Sequence, residues 1–155
     1  MKRAILLFHA LILAAAAPGV HAHHSFAAEF DVDKPLTLEG VVVKMEWVNP
    51  HSWLHIDVPK KDGTVERWRI EGGAPSTLLR RGWNRNSLPP GTKVIVEAYQ
   101  ARTGEMYANA RDIMFPDGRK LFIGSSDTGA PYEKEAQQVD RREAPKATPG
   151  SKEQE

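Results

Sequence analysis

The chain has no cysteine among its 155 residues. That absence excludes disulfides, thiolate nucleophiles, iron–sulfur clusters and thiolate zinc sites. Charge of one sign is also missing, since 21 Lys and Arg stand against 20 Asp and Glu. There is accordingly no basic footprint for nucleic acid and no polybasic stretch for an anionic membrane surface. No apolar run reaches the roughly 20 residues needed to span a bilayer as a helix. Gly-x-Ser-x-Gly, His-Glu-x-x-His and a Gly-rich phosphate loop are all absent, and with them the familiar local signatures of catalysis. Glu46, Asp57 and Glu71 are carboxylates that no spacing pairs as acid and base. The residues thus point away from an enzyme, leaving open only a site assembled from distant positions.

What is present begins at the N-terminus. Lys2 and Arg3 precede an apolar run from Ala4 to Ala17, followed by Val20-His21-Ala22. A basic region, a short apolar stretch and a small-x-small site form the pattern of a secretory signal peptide, here expected over residues 1–22. The protein is then expected in the periplasm or secreted, with no stable membrane insertion after cleavage. Loss of Lys2 and Arg3 leaves 19 basic residues against 20 acidic ones, in a mature chain of 133 residues. That is one modest domain, held by its hydrophobic core. Export and near-neutral charge together argue against nucleic acid as a partner.

Residues 23–127 read as that domain and 128–155 as a disordered charged tail. The tail carries Pro131, Pro145, Pro149 and Gly150 among eleven charged residues, too little apolar surface to offset its ordering entropy. Within the domain, Leu36 and Leu38 alternate, and the phase is expected to shift at Gly40 towards Val41, Val43, Met45 and Trp47, as in a bulged, bent strand. Asn49-Pro50 ends it. Leu54, Ile56 and Val58 mark one face of a second strand, with Trp53, His55 and Asp57 on the other. Val65 to Glu71 forms a third strand after the Lys61-Asp62-Gly63 turn. Pro75 starts, and Gly82 stops, a helix of barely two turns. Strands follow around Val94–Tyr99, Ala108–Phe115 and Leu121–Ile123. Three strands, a short helix and two more strands is the order of an OB-like five-stranded barrel, a mainly β fold. A small sandwich or an open meander would also accommodate six short strands.

Two sets of residues carry candidate chemistry. If cleavage follows Ala22, His23 becomes the first residue, and its free amine and imidazole form a two-nitrogen chelate. His24 or His51 could supply a further nitrogen, a donor set suited to copper. Cleavage near Ala14-Ala15-Ala16 would remove this chelate and leave an internal histidine cluster. The second set surrounds one loop: Trp47, Asn49, His51, Trp53 and His55. OB barrels bind ligands on strands two and three and the loops beside them. Arg80 and Arg81, with Trp83, add a candidate anion anchor at the end of the short helix.

His23-His24-Ser25-Phe26, Glu29-Phe30-Asp31, Trp47-Val48-Asn49-Pro50-His51, Arg80-Arg81-Gly82-Trp83 and Asp117-Gly118-Arg119-Lys120-Leu121 together resemble the signature blocks of a bacterial secreted family, domain of unknown function 6152. The resemblance spans about residues 23–125 and implies an exported, β-rich domain without assigning an activity. The expected function is a non-catalytic periplasmic binding or accessory module for a small ligand or protein partner, with a copper-binding protein as the alternative.

Overall fold

Leu54 and Ile56 alternate with Trp53, His55 and Asp57, a two-residue period that sends one set inward and the other outward. In the computed structural model, which describes residues 25–126 and 128–143, this segment is strand β2 (Ser52–Pro59), with Leu54 and Ile56 fully buried. The expected signal peptide, His23, His24 and residues 144–155 lie outside the described residues. The chain runs α1 (Phe26–Glu29), β1 (Phe30–Trp47), β2, β3 (Val65–Glu71), α2 (Pro75–Arg80), β4 (Lys93–Ala101), β5 (Tyr107–Met114), β6 (Lys120–Phe122) and α3 (Glu133–Glu143).

The strands form one mainly antiparallel sheet in the order β3-β2-β1-β4-β5-β6. A parallel pairing of Arg69–Glu71 with Tyr107–Asn109 joins β3 to β5, so five strands close into the ring β1-β2-β3-β5-β4. The mainly β class and the helix between the third and fourth strands are as expected. Long β1 makes the ring possible: residues 35–41 pair with β4, and residues 41–47 with β2. A closed ring leaves few strand edges open for pairing with other chains.

The bend in β1 is not where the sequence pattern placed it. Leu36, Leu38, Gly40 and Val42 keep one unbroken inward phase. The register slips between Val42 and Lys44, and beyond it Met45 and Trp47 pack on the core. Gly40 serves a different purpose, because a Cβ there would lie 2.7 Å from the Asp57 carbonyl oxygen. Two backbones meet at that point, and only glycine fits.

The main core joins Leu54, Ile56, Trp68, Ile70, Val94, Val96, Ile113 and Ile123 inside the ring, with Leu78 and Trp83 from the α2 region closing it. Burying each such aliphatic side chain stabilises the fold by roughly 1.5–3 kcal/mol. A second, smaller cluster holds Phe26, Phe30, Ala101, Ala130 and Tyr132. For residues 128–143 this corrects the expectation of a disordered tail. Tyr132 and Ala136 are buried, and α3 extends through Glu143. Composition hid this because few apolar residues are needed when they seat in a prepared place. Gly124 supplies that place, since a Cβ on it would come within 2.5 Å of the Tyr132 ring.

Candidate functional site

Because directly paired residues share a sheet face, strand register places side chains in rows. Lys44, His55, Arg69 and Tyr107 form one row across β1, β2, β3 and β5, and Glu46, Trp53, Glu71 and Asn109 form the next. Both rows lie on the outer face, opposite Leu54, Ile70 and Ala108. Trp53 and His55 are therefore on the outward face of β2, as their alternation predicts.

Part of this face is a buried polar network around Glu71 and Asn109. The Tyr107 hydroxyl donates to Glu71 Oε2 at 2.7 Å, and Asn109 Nδ2 donates to Glu71 Oε1 at 3.2 Å. Tyr132 donates its hydroxyl to Asn109 Oδ1. Glu29 Oε2 lies 3.5 Å from the Tyr107 oxygen, so α1 reaches the same network. His51 sits in the loop before β2, with Nδ1 3.4 Å from Glu71 Oε1. That is ion-pair distance, but the atoms are not aligned as a hydrogen bond, and Nδ1 is buried without another partner. Burial pushes the Glu71 carboxyl above its ordinary pKa of 4.5, and the Glu29 charge adds to the rise. His51 and the hydrogen bonds from Tyr107 and Asn109 oppose it. Burial likewise raises the Tyr107 hydroxyl, reinforced by the Glu71 charge beside it. Both results follow from the cost of carrying charge away from water.

On the exposed side, the Arg69 guanidinium carbon lies 4.5 Å from the Trp53 ring centre and 4.8 Å from that of Tyr107. The two rings are 5.8 Å apart and tilted by 38°, so the cation rests on both at once. His55 Nε2 lies 3.0 Å from Glu46 Oε2, and Lys44 Nζ 2.6 Å from Glu46 Oε1. These contacts, Lys44 first, hold the exposed Glu46 carboxyl below its ordinary pKa.

The remaining residues expected in the site divide. Asn49 is exposed in the loop, where the Asn49–Pro50 peptide is cis, and Trp47 packs against the main core. Arg80 is exposed and donates to Thr77 Oγ1. Arg81 and Trp83 do not join the other residues. The Arg81 side chain is 2 % exposed and donates to both Asp140 carboxylate oxygens, the Gly124 carbonyl and Ser126 Oγ. Its donors are spent on tying α3 to the ring. Burial alone would raise the Asp140 carboxyl, but the hydrogen bonds from Arg81 and Ser126 leave it lowered. Trp83 is buried and donates Nε1–H to the Phe122 carbonyl.

Of the expected metal set His23, His24 and His51, only His51 falls within the described residues. Among those residues no group of three or more His, Asp or Glu is placed to hold a metal ion. Arg69, Tyr107 and Asn109 were not legible as site residues. Alternation puts Arg69 and Glu71 outward, but only the pairing of β3 with β5 brings Tyr107 and Asn109 beside them.

No curated protein and no solved structure matches the chain. The model of a family of unknown function, DUF6152, matches residues 10–110, a span that includes β1 to β4 and the start of β5. That match covers well over half the sequence and most of the candidate face. The chain therefore belongs to the family of unknown function 6152.

Proposed function

We propose that the protein is a non-catalytic binding or accessory module of the periplasm, which holds a small ligand or protein partner on the outer face of β2, β3 and β5. The supporting observation is the Trp53–Arg69–Tyr107 stack, which presents aromatic surface and a cation together beside His55. Aromatic and arginine side chains dominate the energy of recognition surfaces. The buried polar network beside it fixes Tyr107, so little ordering remains to be done when a partner arrives.

Native mass spectrometry tests this reading. The full chain, expressed without a tag, is recovered from periplasmic extract without chelator. A mass beginning at His23 with a co-purifying species is expected, and Trp53→Ala should weaken retention of that species at least tenfold. An unprocessed, cytoplasmic chain, or retention unaffected by Trp53→Ala, would overturn it.

One observation favours copper as a second reading. Glu71 Oε1 lies 3.4 Å from Nδ1 of His51, so a small turn of either group would let the carboxylate accept from Nδ1 and leave Nε2 as the donor to a metal. Here the His23 amine and ring, with His24 and His51, would complete the nitrogen set. Added Cu(II) should bind the processed protein at submicromolar concentration, and adding one residue before His23 should abolish that binding. Equal affinity in the extended protein would exclude the chelate.

A further inference from the structure

We infer that Arg69 is an anion site for the carboxylate of a small ligand, an inference that rests on the binding reading above and names its ligand chemistry. Charge pairing on this face carries the point. Lys44 and His55 are engaged by Glu46, and Asp57 takes Arg67 in a two-point pair at 2.8 and 2.9 Å. Glu71 is buried and accepts hydrogen bonds from Tyr107 and Asn109. Arg69 lies in the middle of these groups, is exposed, and its guanidinium has no hydrogen bond or ion pair with any described residue. Among the described residues, this face thus pairs Lys44, His55 and Arg67 with carboxylates and leaves Arg69 open.

That cation is also held in place. An unpaired surface arginine normally spends side-chain entropy to adopt one geometry. Contact with two rings reduces that cost here, and Tyr107 is itself anchored through its hydroxyl to buried Glu71. Both ring centres lie to one side of the guanidinium carbon, 5.8 Å from each other, and its N–H groups donate to no described residue. A planar fork of donors matches the two oxygens of a carboxylate. The charge count selects between anions. A doubly charged phosphate is usually met by several cations, whereas the described residues of this face offer one unpaired, which suits a monoanion. Trp53, in the adjoining row, gives the body of such a ligand an apolar surface to lie on.

The test is an NMR titration of the processed full chain, following Trp53 Nε1–H and Arg69 Nε–H. The probes are benzoate, inorganic phosphate, and a short acetylated peptide with a free or an amidated C-terminus. Sodium chloride at equal ionic strength is the control. Saturable shifts are expected with benzoate and with the free peptide, weakened at least tenfold in Arg69→Gln and also reduced in Arg69→Lys, which keeps the charge but loses the fork. Response to benzoate identifies a free small molecule as a sufficient source, and response to the free peptide alone identifies a chain terminus. Equal binding of the amidated peptide, tighter binding of phosphate, or shifts unchanged in Arg69→Gln would overturn the inference. Arg69 is exposed, so the variant's folding is verified in the same spectra. If carboxylates fail while Trp53→Ala still releases the co-purified species, the ligand chemistry is wrong and the binding face stands. If both fail, the binding reading falls with it.

Discussion

Replacing Tyr132 by alanine is expected to cost about 4 kcal/mol of folding stability, in the range of buried aromatic truncations. The residue lies in a stretch whose composition resembles a tail, yet its ring is buried and meets Phe26, Tyr99 and Phe122 with centroids 5.7 to 6.2 Å away. Its removal opens a cavity between α1, the sheet and α3, and strips Asn109 of a hydrogen-bond partner. Such a loss should lower the melting temperature by roughly 10–20 °C for a domain of this size. Tyr132→Phe keeps the ring and loses only the buried hydroxyl, so a smaller cost of about 1–2 kcal/mol is expected. Denaturant unfolding followed by tryptophan fluorescence measures both. A loss below about 1 kcal/mol for the alanine variant would mean that the segment after residue 128 does not contribute to the folded domain.

Glu71 should control how stability changes with pH. Truncation to alanine leaves the Tyr107 hydroxyl and Asn109 Nδ2 without their shared acceptor, at a cost of about 3 kcal/mol. The carboxyl is raised above 4.5 in the folded chain by burial, so the folded state binds its proton more tightly than the unfolded state does. Its stabilising contribution is therefore fully present below pH 4.5 and is lost as pH rises through the elevated folded value. Glu71→Gln removes this titration while keeping the side-chain shape. The difference in unfolding free energy between the native chain and Glu71→Gln, measured with chelator present, should shift against the native chain as pH increases across that window. Acidic groups held below their ordinary pKa, such as Glu46 beside Lys44, act in the opposite direction and are common to both proteins. A pH-independent difference would place Glu71 in water in the folded state.

The split between Tyr132 and Glu71 on one side and Leu54 and Ile56 on the other reflects what kind of information each position needs. Alternation of Leu54, Ile56, Trp68, Ile70, Val94 and Val96 with polar residues is a local property. It determined the strands, their inward faces and the short helix between the third and fourth of them. The outward placement of Trp53 and His55 followed from the same period. Register is not local. The phase change in β1 falls at Val43 because the pairing with β2 slips there, while Gly40 is demanded by the Asp57 backbone, seventeen positions away. Likewise, Arg81 and Asp140 are separated by 59 positions, and Tyr107 and Glu71 by 36. Each pair consists of ordinary residue types at no diagnostic spacing.

The candidate site follows that division. By itself the sequence determined the mainly β class, the strand order along the chain and the aromatic and histidine residues around one loop, because these depend on periodicity and turn chemistry over a few residues. Only the tertiary structure decided that Arg69 rests on Trp53 and Tyr107, that Glu71 is buried beside them, and that Arg81 is spent on α3. Those outcomes depend on which strands close the ring, and ring closure is driven by burial summed over the whole core, which no short stretch of sequence encodes.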